Sequence, residues 1–352
     1  MEIGLNLYPH IQNLPLGILK QGRLNHDNLS FARQLGVDSI IAWMPLGVGD
    51  GFWEFDDLLK LRKFIESYGL KLAAIENLPP LHYDRIMMGM KGRKEQIENL
   101  KRTIFNLGKA KINCLGYFFS IVGYWGHWRT GNCGGGRGRA HVTSFDYSLV
   151  KEAPPARKGM FWGNWKADYF NPSQSIGHIS RKTMWERLSY MLEEIIPAAG
   201  EAGVKLCIHP ADPPAPVLAG EERIMNCPRD FKQLIEKFPS PWHGIQFCQG
   251  TFAEMEGVGP KVIELIDYFG KGDRIAYVHF RNIRGSFPRY EETFIDDGDI
   301  DMVQAFKAYR QSGFEGMLIP DHVPVLKPHR CSWHAGMAHA VGYIRSLIDS
   351  FD

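Results

Sequence analysis

One rhythm constrains this chain more than anything else: a short apolar run, then a stretch with apolar residues at helical spacing, repeated along most of its length. IGLNLY (3–8) alternates as a strand does, and the helical stretch 26–35 after it closes on Gly36. VDSIIAW (37–43) is β-branched and short, and FDDLLKLRKFIESYG (55–69) follows as an amphipathic helix ending on Gly69. KLAAIE (71–76) and INCLGYFF (112–119) are further strands, separated by a helix over 94–110. After an interruption the beat resumes with a helix over 179–203, in which Pro197 predicts a kink. Strands KLCIHP (205–210), HGIQFC (243–248), IAYVHFRN (275–282) and GMLIPDH (316–322) then alternate with helices over 227–238, 259–270, 299–313 and 335–351. Eight strands interleaved with helices predict an α/β protein whose parallel sheet closes into a (β/α)8, or TIM, barrel. An open doubly wound sheet is the alternative, but no Gly-rich phosphate fingerprint follows the first strand.

The interruption, roughly 120–178, is rich in Gly, Trp and Arg and too long for an ordinary strand-to-helix connection. Its aromatic content argues for an ordered cap over the barrel mouth, within a single domain spanning 1–352. The chain is long enough to need no staples, so its six cysteines (114, 133, 207, 227, 248, 331) are expected as reduced thiols. With 41 basic and 39 acidic residues there is no field for nucleic acid or anionic lipid. No apolar run is long enough to span a bilayer, and the N-terminus lacks the features of a secretory signal. A cytoplasmic protein acting on a small molecule, and able to form a homo-oligomer, is expected.

The chemistry-bearing residues stand at the ends of the later strands. His209, Cys248, His279 and Asp321 each lie at or near a strand C-terminus, where a barrel gathers its active site. Singly, each has an ordinary reading: a hydrogen-bonded structural histidine, a small buried apolar residue, or a helix cap. Four at the same structural position point to a metal site. Two imidazoles, a thiolate and a carboxylate suit Mn2+, Fe2+, Co2+, Ni2+ or Zn2+ better than Ca2+ or Mg2+, which prefer all-oxygen shells. Around them, Asp212 is a loop residue at the mouth or a turn residue, and Arg281 is a substrate-carboxylate fork or an ion-pair partner. His322 is placed to act as a general acid or base, and Glu76 to bind substrate hydroxyls or pair with a loop arginine.

The segments HPADPPAP (209–216), FCQGTF (247–252), HFRN (279–282), GDIDM (298–302) and PDH (320–322), in this order, resemble the mannonate dehydratase family of xylose isomerase-like TIM barrels. The resemblance covers most of the chain and is most specific over 193–220. It implies metal ligation by His209, Cys248, His279 and Asp321, Mn2+ as the usual ion, and a catalytic role for His322. The implied reaction is dehydration of D-mannonate to 2-keto-3-deoxy-D-gluconate, with Arg281 suited to the substrate carboxylate. Three departures stand out. Trp333 occupies the position of the family's catalytic Tyr, which leaves His334 as a substitute acid or base and the indole as a substrate contact. AWMPLG (42–47) lacks the family's histidine after the second strand, and Phe118 replaces an asparagine near the end of the fourth. An aromatic mouth (Trp43, Trp125, Trp128, Trp333) keeps a second reading open, a sugar isomerase, epimerase or keto-glycoside lyase on the same metal barrel. A sugar-binding protein without turnover is the third.

Overall fold

The structure is a computed structural model that describes residues 1–7, 23–44, 51–123, 136–162, 165–171, 173–326 and 332–351. Eight parallel strands close on themselves: β1 (Glu2–Leu7), β2 (Ser39–Ala42), β3 (Lys71–Ile75), β4 (Cys114–Tyr117), β5 (Lys205–Ile208), β6 (His243–Cys248), β7 (Ile275–His279) and β8 (Met317–Ile319). Each pairs with its neighbours in sequence, and β8 returns to β1 through Glu2 opposite Met317. Among the described residues the α-helices of six residues or more are α1 (His26–Gln34), α2 (Phe55–Glu66), α3 (Arg93–Lys109), α4 (Arg181–Ala202), α5 (Pro228–Lys237), α6 (Gln249–Glu254), α7 (Val262–Lys271), α8 (Met302–Gln311) and α9 (Ser332–Phe351). The expected (β/α)8 barrel is therefore the fold. Pro197 lies inside α4, which continues through it as one helix.

Local chemistry explains the boundaries. The side chains of Asn25, Ser180 and Asp301 accept backbone N–H bonds at the starts of α1, α4 and α8, satisfying donors that have no intrahelical partner. Gly203 ends α4 in the left-handed region, where a side chain would be strained. On the strands, one face packs under the helices and the other fills the barrel. Ile41, Ala74, Cys207, Tyr277, Met317 and Ile319 form that interior layer. Because side chains alternate with a period of two, the residue two positions on from each interior residue also faces inward, one step nearer the mouth. Glu76, His209, His279 and Asp321 stand in that relation to Ala74, Cys207, Tyr277 and Ile319. Gly116 leaves room beneath them, since a Cβ there would lie 2.0 Å from the Glu76 carbonyl oxygen and 2.8 Å from the Tyr277 hydroxyl.

Two connections are elaborate. Between β4 and α4 the described residues include a strand, Ser144–Asp146. It joins an antiparallel hairpin, Ile283–Ser286 and Arg289–Glu292, from the β7–α8 connection, to make a three-stranded sheet. Among the described residues Cys114, Cys207, Cys227 and Cys248 are free thiols, and no helix is long and apolar enough to cross a membrane. Trp125, Trp128, Cys133, Cys331 and the segment 45–47 lie outside the described residues.

Candidate metal centre

Donor atoms of His209, Cys248 and His279 all lie within 4.8 Å of one another, and all three side chains are buried. Cys248 and His279 are opposite each other in the β6–β7 register, so the barrel itself brings them together. Asp321, on the backbone just beyond β8, places Oδ2 3.8 Å from Cys248 Sγ and 3.5 Å from His279 Nδ1. Three of the four sequence-predicted donors thus lie within reach of one another, and Asp321 stands beside two of them, Cys248 and His279.

The imidazoles are oriented for ligation. His209 Nδ1 lies 2.7 Å from the carbonyl oxygen of Pro210. A carbonyl only accepts, so Nδ1 carries the proton and Nε2 keeps its lone pair. His279 meets the Gln246 amide through Nε2 at 3.0 Å, while its buried Nδ1 has no hydrogen bond. An orphaned ring nitrogen beside a thiol and a carboxylate fits a divalent cation. Burial works against ionisation of Cys248, yet the Arg281 charge and the adjoining His209 and His279 rings outweigh it and hold the thiol well below its ordinary range. Burial likewise opposes the Asp321 charge, but His322, His279 and Arg281 keep that carboxyl well below the usual carboxylate range. His279 is shifted well upward despite its burial, because Asp321, Cys248 and Glu76 surround it. These shifts favour the anionic sulfur and oxygen that a cation takes up, and a cation would displace the ring proton of His279.

Arg281 has two readings in the sequence. Its side chain is 2 % exposed, and most of its N–H groups are spent within the protein. Nε donates to Asp321 Oδ2 at 3.0 Å, Nη1 to Glu254 at 2.6 Å, and Nη2 to Thr251 at 2.9 Å and Asp212 at 3.3 Å. Glu292 lies 3.5 Å away. Of the two readings the structure shows the ion pair: four of the five N–H groups of Arg281 donate within the protein, and Glu292 faces Nη1. Asp212 is likewise a buried partner of Arg281 and Thr251, not a residue facing substrate. Gly250 makes the close approach possible, since a Cβ there would fall 2.4 Å from Arg281 Nη1.

His322 stands at the edge of the cluster with Nε2 3.7 Å from Asp321 Oδ1 and Nδ1 2.8 Å from Glu292 Oε1. Its side chain is 39 % exposed. Burial lowers its pKa, but Asp321 and Glu292 together raise it above the usual imidazole value. Glu76 sits beside the ligands, accepting from Asn6 of β1, with Oε2 3.9 Å from His279 Nε2. Its pKa is raised, chiefly by burial. Phe118 packs edge-on to the His209 ring, so the wall at that point is apolar.

The hydrogen bonds and ring contacts of His334 and Trp333 run elsewhere. His334 Nε2 meets Asn28 at 2.8 Å and its ring packs edge-on to Phe31, both on α1. Trp333 lies under the Arg23 guanidinium and against Phe31. His334 therefore has its Nε2 engaged with α1. Sequence reasoning missed Glu254, Glu292, Thr251 and Gln246. Only Gln246 had a signal, standing two residues before Cys248 on the same face of β6.

Eight closed parallel strands, with two imidazoles, a thiol and a carboxyl at the C-terminal mouth, define a TIM barrel with a candidate site for a divalent ion. A xylose isomerase domain protein from Planctomyces limnophilus shares that fold, with a TM-score of 0.58 at 11 % identity over 99 % of this chain and 97 % of that one. The particular family is narrower. The D-mannonate dehydratase (UxuA) family model matches residues 21–352. The chain is 31 % identical over 319 residues to a mannonate dehydratase of Thermotoga maritima, covering 84 % of this chain and 86 % of that protein. It superposes on the crystal structure of mannonate dehydratase from Streptococcus suis with a TM-score of 0.78 at 26 % identity, covering 99 % and 94 % of the two chains. This chain belongs to the D-mannonate dehydratase family.

Proposed function

We propose that the chain is a metal-dependent hydro-lyase that removes water from D-mannonate to give 2-keto-3-deoxy-D-gluconate. The observation that carries this reading is the convergence of His209, Cys248 and His279 within 4.8 Å, with Asp321 alongside, in a barrel of this family. His209 Nε2, Cys248 Sγ, His279 Nδ1 and Asp321 Oδ2 are the ligand atoms, and Mn2+ is the ion we assign. When bound, the ion supplies a Lewis acid for substrate oxygens and for the negative charge that develops beside the carboxylate.

The protein's own groups do the rest. A base takes the proton on C2, next to the carboxylate; the C3 hydroxyl takes up a proton from the conjugate acid and leaves as water; and the enol formed across C2 and C3 gains a proton at C3 as its hydroxyl proton is lost, giving the 2-keto acid. His322 is the proton-transfer group, because it is half-exposed at the edge of the ligand cluster and is not itself a ligand. Arg281 holds the Asp321 carboxylate by a charged hydrogen bond, so the ligand keeps its position without substrate. Trp333 cannot exchange its indole proton as a phenol does, so His322 carries proton transfer without a tyrosine at that position. Residues 120–178 serve as a cap within a single domain, and the enzyme works in the cytoplasm. The test is formation of a 2-keto-3-deoxy acid from D-mannonate by Mn2+-loaded protein, lost on chelation. Absence of product across a panel of aldonates, with turnover of keto-sugars instead, would overturn the reading.

A further inference from the structure

The carboxylate that meets His322 does not come from the strand ends that carry the ligands. Glu292 is the last residue of the strand Arg289–Glu292 and is buried. Several ties hold it in place. Asn282 pins the base of the hairpin, its amide donating to the carbonyls of Ile295 and Ile300 and its Oδ1 accepting from the backbone of Ile283 and Ile300. The strand Ser144–Asp146 pairs along the hairpin's outer edge, Arg289 opposite Asp146 and Glu291 opposite Ser144. Glu292 N then donates to the Thr143 carbonyl at 2.8 Å.

The same piece of the insertion also reaches the loop of His322. His141 and Val325 exchange both backbone hydrogen bonds, at 3.2 and 2.8 Å. Residues 141–146 therefore bridge the two, with the imidazole's loop bonded at one end and the carboxylate's strand at the other. Across the gap, Glu292 Oε1 and His322 Nδ1 are 2.8 Å apart.

We propose that Glu292 is a positioning residue for His322, accepting its Nδ1–H, and that the segment 141–146 holds the two in register. The carboxylate fixes one ring tautomer and one ring orientation, with Nε2 turned to the ligand cluster, 3.7 Å from Asp321 Oδ1. Buried carboxylates do the same for the general-base histidine of hydrolytic triads. The contact is read from the structure alone; its effect on turnover rests on the dehydratase reading above.

The test uses the full chain with two substitutions, E292A and E292Q. With Mn2+ bound, E292A is expected to keep its metal and a KM for D-mannonate within about threefold of wild type, while kcat falls about 10- to 100-fold. E292Q still offers an oxygen to Nδ1–H and is expected to recover most of that loss. In metal-free protein, carbethoxylation of His322 by diethylpyrocarbonate, followed by mass spectrometry, reads the contact directly. His322 is expected to react several-fold faster in E292A than in wild type, with E292Q between them. Equal labelling rates in all three, a rise in KM with unchanged kcat, or E292Q as impaired as E292A would each overturn the proposal. A wild-type protein that fails to turn over D-mannonate would defeat the dehydratase reading but leave the labelling result to decide this one.

Discussion

Replacing Arg281 by methionine tests whether a buried charge hub holds the site together. The guanidinium is 2 % exposed and faces four carboxylates, those of Asp212, Glu254, Glu292 and Asp321, at 2.6 to 3.5 Å. Methionine keeps much of the volume but leaves those groups without their cation. Breaking a buried pair by removing one partner costs about 3–5 kcal/mol, because the remaining charge stays desolvated. With an unfolding entropy of about 2.1 cal/mol/K per residue over 352 residues, that is a fall in Tm of about 4–7 °C. The loss depends on pH, and the sign follows from Asp321. Burial opposes its charge, yet His322, His279 and Arg281 hold its folded pKa well below the ordinary value. Such a group stabilises the fold above its unfolded pKa of about 4 and loses that contribution as pH falls through the folded value. Removing Arg281 takes away part of it, so the deficit should stay level from about pH 7 to about pH 4 and shrink only as pH falls below about 4. Circular-dichroism melts of wild type and R281M across that range measure both quantities. A variant as stable as wild type at neutral pH, or a deficit that grows on acidification, would refute the hub.

Three further outcomes are expected. Burial, with Arg274 and Lys205 adding to it, lowers the His243 pKa to about 3, and burial lowers that of His82 to about 4. Both fold neutral, so below the unfolded value of about 6.5 the unfolded chain binds more protons and stability falls by about 1.4 kcal/mol per pH unit for each. Urea titrations between about pH 6.5 and pH 4 should show the combined slope and H243F about half of it; an unchanged slope in H243F would contradict the assignment. Gly250→Ala sets a Cβ 2.4 Å from Arg281 Nη1 and should cost about 1–3 kcal/mol, and a melting temperature equal to wild type would count against the packing argument. His322→Asn should retain bound Mn2+ while turnover falls by about 10²–10⁴, and loss of the metal instead would mean that His322 belongs to the ligand set.

Much of this was legible because it depends on periodicity. Strand alternation and the position of His209, Cys248, His279 and Asp321 at successive strand ends require only that the sheet close, and closure puts those ends together. What could not be read depends on loops meeting across the mouth. Arg281 looked like a substrate fork because nothing in HFRN shows that Asp212, Glu254 and Glu292 arrive from three other segments to occupy it. The hairpin Ile283–Glu292 was passed over as connection, although Gly285 at a φ of 79° and the Phe287–Pro288 turn mark it. His334 is a candidate in the sequence because it follows Trp333, which stands at the position of the family's tyrosine. The helix begins at Ser332, and His334, in its first turn, bonds to Asn28 of α1.

The most direct measurement of the central claim is metal binding by calorimetry and elemental analysis in wild type, C248A and D321A. The account predicts one Mn2+ per chain in wild type and affinity at least about tenfold weaker in each variant, with the fold intact by circular dichroism. Undiminished metal content in C248A would contradict it, because a thiolate buried between two imidazoles would then have no part in holding the ion.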